Sequence, residues 1–175
     1  TAVSINYIQF DSRKVELNDV FVAVRGTISD GHEFINKAVD QGALAVICEE
    51  MPPKIINGVT YVKVQNAQTA LAVMSANYYE HPSANLKLVG VTGTNGKITV
   101  ATLLYQLFIK EGYKVGLLSN VKVMVADKTF PATHTTPDSL TINEYLYQMN
   151  KEGVEFCFME VSSHGIAQKR TEALH

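Results

Sequence analysis

Short apolar runs alternate with segments of helical spacing in the first half of the chain. Three runs are typical of buried strands: "DVFVAV", "ALAVICE" and "TYVKVQ". Between the first two, the segment "HEFINKAVDQGA" has its apolar residues at helical spacing and closes near Gly42. This alternation of strand and helix predicts a small N-terminal α/β domain.

A further helix and a domain boundary follow these strands. Asn66 can cap this helix, because its side chain can accept a hydrogen bond from a backbone N–H of the first turn. Four apolar residues of the helix fall on one face: Ala70, Leu71, Met74 and Tyr78. The stretch "HPSAN" stops the helix and has turn composition. We therefore predict two domains, residues 1–84 and 85–175.

The second half repeats the alternation of strand and helix. The pattern predicts helices over residues 98–111 and 139–151. It also predicts strands or extended segments at "LKLVGV", "YKVGLLS", "VKVMVA" and "VEFCFMEV". Repeated βα units favour a parallel sheet covered by helices. The predicted fold class is α/β, in which the N-terminal domain is followed by a partial P-loop-type domain with a mostly parallel sheet.

Composition favours small ligands over macromolecular partners. The chain has 175 residues, 46% of them apolar and 18% charged, with a net charge of -2. This charge gives no basic field for nucleic acid or an anionic membrane. The cysteines, Cys48 and Cys157, lie in apolar runs that favour reduced thiols over a disulfide.

The chain shows no membrane span and no signal peptide, so a cytoplasmic protein is expected. No sequence pattern indicates self-association, and we expect a monomer. The chain begins at Thr1 without a methionine and stops at "RTEALH", so we expect a piece of something longer.

The glycine-rich stretch "VGVTGTNGKITV" predicts a phosphate-binding loop. Gly96 and Lys97 fit the motif G-x-x-x-x-G-K-[ST], although Val91 stands where its first glycine is expected. An apolar strand leads in and an amphipathic helix leads out, which is the context that such loops require. We expect ATP to bind at Gly93, Thr94, Asn95, Gly96, Lys97, Ile98 and Thr99.

Ile98 stands where the motif places a hydroxyl that binds magnesium. A hydrocarbon side chain offers the ion no lone pair. Thr99 carries a hydroxyl one position later, but one residue turns a helical side chain by about 100°. Thr99 is therefore a candidate replacement ligand, and loss of magnesium binding is the alternative.

Five ordered motifs resemble the Mur ligase family of peptidoglycan synthesis: "DSRKV", "DVFVAVRGTISDGHEFI", "GVTGTNGKITV", "THTTPDSL" and "MEVSSHGIAQKR". "TTPD" followed by "EVSSHG" is the form found in the branch that adds a diamino acid. The opening block is also similar to the MurF branch. Folylpolyglutamate synthetase shares "GTNGK", but it would not explain the opening block.

The resemblance implies an ATP-dependent ligation with Mg²⁺. Such enzymes phosphorylate the D-glutamate carboxylate of UDP-MurNAc-L-Ala-D-Glu. A diamino acid, lysine or meso-diaminopimelate, then displaces the phosphate and forms an amide. Both small molecules are implied substrates.

The resemblance also implies roles for individual residues. Positions that match the uridine-binding residues are Phe10, Ser12, Thr27, Ile28 and Ser29. Positions that match those around the muramoyl peptide are His134, Thr135, Thr136, Ser162, Gln168 and Arg170. Glu160 and His164 match metal ligands, and together with Lys97 they are the implied catalytic residues.

Reasoning from the residues alone leaves several alternatives open. Glu160 follows a buried strand and so lies at the edge where open parallel sheets bind ligands, but it can instead cap "SSHG" or pair with a lysine. The two histidines, His134 and His164, can be local hydrogen-bonding residues. Ser12, Thr27 and Ser29 are also ordinary turn and cap residues. Arg170 fits a carboxylate or pyrophosphate partner as well as a free surface position.

Some residues differ from those of the family, and these differences leave two hypotheses about function. Ile98 replaces the expected hydroxyl residue, and Asn120 stands where a threonine is expected. The family's carbamylated lysine and its C-terminal domain have no counterpart in this chain, so we do not expect these residues alone to complete the ligation. The alternative is a UDP-sugar-binding module that has lost its ATPase. His32 is expected to be structural.

Overall fold

The computed structural model describes residues 4–27, 29–131 and 136–175. The chain divides into two compact units, Thr1–Met74 and Ser75–His175. This division falls inside the helix that precedes residue 84, where the sequence places the boundary. The domain limits 1–84 and 85–175 therefore stay a prediction.

A parallel sheet organises the described part of the first unit. Its four strands, adjacent in chain order, are β1 (Ile8–Gln9), β2 (Val20–Val22), β3 (Ala45–Cys48) and β4 (Thr60–Lys63). The strands β2 and β3 are buried throughout, as their apolar runs predict. Cys48 ends β3 as a buried free thiol. Burial raises its pKa, since a thiolate is poorly solvated there.

The first predicted helix is divided into two short pieces. A 3₁₀ turn covers Gly31–Phe34, and α1 follows at Ile35–Asp40. Asp30 caps the turn by accepting a hydrogen bond from the backbone N–H of His32 at 3.0 Å. The backbone of Phe34, with φ −102° and ψ 3°, separates the turn from α1. The predicted helix is therefore present over Ile35–Asp40, and a 3₁₀ turn precedes it.

The next helix, α2 (Ala67–Tyr78), begins where the sequence predicts. The Asn66 side chain accepts a hydrogen bond from the Thr69 N–H at 2.7 Å. The buried face differs from the predicted one, because Tyr78 is 43% exposed and Tyr79 only 9%. The helical face is thus rotated by about one position relative to the prediction.

The second unit is built on a mixed sheet. In the described residues its spatial order is β5 (Lys87–Val91), β9 (Phe156–Glu160), β6 (Val115–Leu118), β7 (Lys122–Val125) and β8 (Lys128–Pro131). The strands β5, β9 and β6 are parallel, whereas β7 and β8 are antiparallel to their neighbours. The mostly parallel sheet is confirmed. The strand β8 was not predicted, because the turn before it places Ala126 at φ +50° without glycine or asparagine.

Helices cover both faces of this sheet. They are α3 (Lys97–Lys110), α4 (Ser139–Lys151) and α5 (Ser163–Ala167). Phe158 of β9 packs with residues of α3, whereas Cys157 and Met159 pack with residues of α4. Alternate side chains of β9 thus serve opposite layers of the core. None of the helices in the described ranges has the length and apolarity that crossing a bilayer requires.

The parallel strands bring three loops to one edge of the sheet. Val91 of β5 pairs with Glu160 of β9, and Leu118 of β6 pairs with Met159. The chain therefore leaves β5, β9 and β6 at the same level. Ligands of open parallel sheets bind at this carboxyl edge.

Candidate functional site

The glycine-rich loop joins β5 to α3 through two glycines with positive φ. Gly93 has φ 146° and Gly96 has φ 82°. Gly96 directly precedes α3 in the left-handed region, where a Cβ would add strain. The sequence "TGTNGK" thus forms a tight bend at a helix N-terminus, which favours anions.

Lys97 begins α3 and folds back over this loop. Its Nζ donates to the carbonyl oxygen of Gly93 at 2.6 Å and lies 3.4 Å from that of Thr94. The ammonium group therefore lies beside the loop, held by neutral backbone acceptors. A bound phosphate would be a stronger, charged acceptor for the same group.

Glu160 ends β9 at the carboxyl edge of the sheet and is fully buried. Its Oε2 accepts a hydrogen bond from the backbone N–H of Asn120 at 2.7 Å. Its Oε1 has no hydrogen-bond partner among the residues that the structure describes. An unsatisfied buried acceptor costs about 1–3 kcal/mol or more when charged. This oxygen is thus available to a ligand or an ion.

A cavity of about 280 Å³ connects these groups. It is lined by Thr94, Asn95, Gly96, Lys97, Ile98, Thr99, Asn120 and Glu160. The structure thus brings Glu160 to the predicted phosphate loop, although more than 60 residues separate them in sequence. Asn120 was recognised only as a departure from the family, and its position just after β6 was the signal that could have placed it here.

The donor set of this cavity suits a hard cation such as Mg²⁺. Magnesium takes oxygen ligands, keeps several waters and is held by one or two protein carboxylates plus phosphates. Glu160 Oε1 meets that need, whereas the Ile98 side chain supplies no donor. No group of three or more His, Cys, Asp or Glu that could hold a metal occurs within residues 4–27, 29–131 and 136–175. Any ion here therefore depends on phosphate and water oxygens as well.

His164 lies on α5 with an exposed side chain and does not line this cavity. Its assignment as a metal ligand and catalytic residue stays a prediction. Thr99 does line the cavity, and its role as replacement ligand also stays a prediction.

A second group of polar residues lies beside Glu160, and we call Thr136, Ser162, Gln168 and Arg170 the Thr136 cluster. The buried Thr136 Oγ1 donates to the Glu160 carbonyl oxygen at 3.1 Å and accepts from the Ser162 N–H at 2.9 Å. Arg170 donates to the Thr136 carbonyl oxygen and, through Nε, to Gln168 Oε1 at 2.9 Å. The structure therefore brings together four residues that the sequence assigned to the muramoyl peptide.

Gly165 explains how α5 approaches this cluster. A Cβ built on Gly165 would lie 2.9 Å from the Thr136 Cβ, closer than real side chains come. Ser162 caps α5 by accepting from the Gly165 N–H at 3.1 Å. The small residue and the cap together fix the short helix against Thr136.

The residues assigned to the uridine end lie in the first unit. Phe10 is 37% exposed, and Ser12 is buried at the start of a 3₁₀ turn. Thr27 and Ser29 are exposed. Ile28, His134 and Thr135 lie outside the described residues, so their assignments stay predictions.

Asp11 orders the turn that carries Ser12. Its Oδ1 accepts from the Arg13 N–H at 3.0 Å, and its carboxylate pairs with the Arg13 guanidinium at 2.8 Å. The hydrogen bond from the Arg13 side chain lowers the pKa of Asp11 to about 2. The turn therefore keeps a charged cap across the physiological range.

His32 holds the loop that carries Thr27 and Ser29. Its Nδ1 lies 2.6 Å from Asp30 Oδ1, and its Nε2 accepts the Glu49 N–H at 2.9 Å. This geometry fits a neutral ring that donates from Nδ1. His32 thus links the loop to the end of β3, which is a structural role.

Comparisons with known proteins agree with this arrangement. The family model described as the Mur ligase middle domain matches residues 91–175. The model described as the Mur ligase family catalytic domain matches residues 4–79. Together the two matches extend over both units of the chain.

Two curated relatives bear the name UDP-N-acetylmuramoyl-L-alanyl-D-glutamate--2,6-diaminopimelate ligase. The protein from Cytophaga hutchinsonii is 51% identical over 99% of this chain. The protein from Bacteroides fragilis is 49% identical over 98% of it. The chain spans 36% of the length of each relative.

Solved structures give the same result for the fold. A structure of a ligase with the same name superposes with a TM-score of 0.78 at 25% identity, over 97% of this chain and 34% of that one. MurF ligase from Thermotoga maritima in complex with ADP gives 0.58 at 28% identity, over 90% and 32%. The motifs, the fold and these matches show that the chain belongs to the Mur ligase family.

Proposed function

We propose that this chain forms the nucleotide-binding part of an ATP-dependent ligase of peptidoglycan precursor synthesis. The ligase would join 2,6-diaminopimelate to UDP-MurNAc-L-Ala-D-Glu in the cytoplasm. The names of the relatives support this substrate pair, and the family uses ATP. Because the chain spans 36% of the relatives' length, binding of nucleotides is what we expect from these 175 residues.

One observation carries the proposal: the phosphate loop, Lys97 and a Glu160 oxygen that has no partner among the described residues share one cavity. Lys97 would leave the carbonyl oxygens of Gly93 and Thr94 and donate to the outer phosphates of ATP. The loop amides would hold the phosphate oxygens from the other side. Phosphoryl transfer depends mainly on such positioning and charge neutralisation.

Glu160 would hold magnesium, with phosphate and water oxygens completing its coordination, and Thr99 and His164 stay candidate ligands. The ion supplies charge neutralisation on the phosphate oxygens when it is bound. Burial of Glu160 keeps this carboxylate fixed, so it needs no reorganisation before ATP enters. In the proposed reaction, the γ-phosphoryl group of ATP passes to the D-glutamate carboxylate, giving an acyl phosphate and ADP. The amine of the diamino acid then attacks the acyl carbon, loses a proton and releases phosphate.

We assign the substrate ends as the resemblance implies. Phe10, Ser12, Thr27, Ile28 and Ser29 would contact the uridine end. The muramoyl peptide would contact the Thr136 cluster together with His134 and Thr135. Arg170 supports this role, because a guanidinium has five N–H donors and its contacts here leave some for a carboxylate.

A second candidate function is a UDP-sugar-binding module without ATPase activity. Ile98 favours it, because an apolar side chain lines the cavity where a metal-binding hydroxyl is expected. In that case Lys97 would keep its contacts with the loop carbonyl oxygens.

Calorimetry tests both functions on this chain. UDP-MurNAc-L-Ala-D-Glu and ATP with MgCl₂ are titrated separately into the unchanged chain and into Ile98→Thr. Val100→Thr is the matched control, since it adds the same hydroxyl to an exposed residue of α3 that does not line the cavity. The ligase proposal expects both ligands to bind and Ile98→Thr alone to tighten ATP. Binding of the sugar nucleotide alone supports the second candidate, and binding of neither ligand contradicts both.

A further inference from the structure

We propose that Asn120 supplies its side-chain oxygen to the magnesium ion that accompanies ATP, in place of the hydroxyl that Ile98 lacks. The inference rests on the proposed function and deepens it. It explains the two departures from the family together: Ile98 removes one oxygen ligand of the ion, and Asn120 supplies another.

The backbone places Asn120 beside the carboxylate that the ion needs. The N–H of Asn120 donates to Glu160 Oε2 at 2.7 Å. Asn120 and Glu160 also line the same cavity, so one cation bound there would have both side chains beside it.

The Asn120 side chain is available for this contact. It is exposed and lines the same cavity as Ile98 and Thr99. Within the described ranges, no hydrogen bond engages its amide group. Ser119, by contrast, is buried, and its hydroxyl donates to the Lys122 carbonyl oxygen at 2.9 Å. Of the two neighbours, Ser119 thus has a hydrogen-bonded side chain, whereas the Asn120 side chain faces the cavity without a hydrogen bond to the described residues.

The chemistry of the group suits the ion. Amide oxygens are ligands for hard cations, and a neutral oxygen beside one carboxylate resembles the usual magnesium environment. The hydroxyl of a serine or threonine at position 98 would be a neutral oxygen as well. Replacing one neutral ligand by another leaves the charge of the site unchanged.

Thr99 is the competing replacement, and a double-variant comparison separates the two residues. Asn120→Ala and Thr99→Val are each made in the unchanged chain and together with Ile98→Thr. ATP is titrated with MgCl₂ and, separately, with EDTA. Asn77→Ala, at an exposed asparagine of α2, is the matched control.

We expect Asn120→Ala to weaken ATP binding about tenfold with Mg²⁺ and less than twofold with EDTA, because a metal ligand is lost. Together with Ile98→Thr, the loss should shrink to about twofold, since the hydroxyl restores the ligand. Thr99→Val should change little. In Mn²⁺ electron paramagnetic resonance, Asn120→Asp should keep or raise the affinity for the ion, because it retains an oxygen at the same reach.

Several results would overturn the inference. An equal loss with Mg²⁺ and EDTA would make Asn120 a phosphate donor, and a loss confined to Thr99→Val would make Thr99 the ligand. If Asn120→Ala does not fold, a lower Mn²⁺ affinity in Asn120→Asp decides against the inference. If the unchanged chain does not bind ATP, the proposed function itself is contradicted. If ATP binding depends on Mg²⁺ but does not change in Asn120→Ala, only this inference is contradicted.

Discussion

Two neighbouring groups of polar side chains at one sheet edge differ in how far their hydrogen-bonding groups have partners within the protein. In the cavity, Glu160 Oε1 has no partner among the described residues. In the Thr136 cluster, Thr136 alone contacts the Ser162 N–H, the Ser162 hydroxyl and the Glu160 carbonyl oxygen. A buried polar atom without a partner destabilises the fold, and a ligand bound at Glu160 Oε1 would remove that cost, whereas a satisfied cluster already contributes to stability.

This difference gives a general expectation for substitutions. Changes in the cavity should alter ligand binding with little loss of stability. Changes in the Thr136 cluster should reduce the free energy of unfolding first. Three predictions test this contrast, and a fourth tests an ion pair of the first unit; they follow in order of decreasing effect.

Lys97→Met should have the largest effect, a loss of about hundredfold in ATP affinity. The substitution removes a charge-assisted donor worth about 1.5–3 kcal/mol and keeps the length of the side chain. Lys110→Met, at the exposed end of the same helix, is the control. Calorimetry with MgATP measures the loss, and an affinity within twofold of the unchanged chain would show that the cavity is not the phosphate site.

Glu160→Gln should separate binding from stability. We expect MgATP affinity to fall about tenfold, because a charged metal ligand is lost. The free energy of unfolding should rise by about 1 kcal/mol, because the buried charge is removed while the shape is kept. Urea unfolding and calorimetry on the same preparations measure both effects, with Glu111→Gln as an exposed control. A large loss of stability would mean that Glu160 is structural.

Thr136→Val should show the reverse behaviour. The substitution leaves the Ser162 N–H and the Glu160 carbonyl oxygen without their partner and should cost about 1–3 kcal/mol of unfolding free energy. Its effect on MgATP affinity should stay within twofold. Thr102→Val, a partly buried threonine of α3, controls for the change of side chain. An unchanged urea midpoint would remove the basis for calling the cluster satisfied.

Asp11 provides the smallest test, because its carboxylate is already paired. The pKa of Asp11 is lowered to about 2, so the pair stabilises the fold above the ordinary value of 3.8 and loses this effect as the pH falls towards 2. Solvent screens the exposed Arg13, so the contribution of the pair to stability is small. Asp11→Asn should therefore lower the urea midpoint slightly at about pH 6 and by less at about pH 2.5, where the folded carboxylate begins to protonate. A difference of equal size at both pH values would assign the effect to the turn and not to the charge.

The sequence predicted the fold where hydrophobic pattern and caps agree. The bounds of α4 match the prediction, because Asp138 caps the helix and its apolar residues keep helical spacing. The pattern could not fix which side of α2 is buried, since Tyr78 and Tyr79 are adjacent and both apolar. Local turn geometry also escaped it, as at Ala126 before β8 and at Phe34 before α1.

The site was predictable only in part, for a related reason. The phosphate loop is a contiguous motif, so the sequence alone was enough to predict its seven residues. Asn120 joins them only because β6 lies beside β9, and a single sequence does not show strand order. The partners of Thr136 were likewise invisible, although the family resemblance placed its neighbours in one site.

The register of β9 has a consequence for how this protein can change. Phe158 must face one layer and Met159 the other, so the apolar alternation of the strand decides which way its final carboxylate points. Inserting or deleting a single residue in β9 would reverse the faces and turn this carboxylate away from the cavity. A change in the apolar pattern of β9 therefore also moves Glu160. Such a change can disturb the cavity as much as a substitution in the loop.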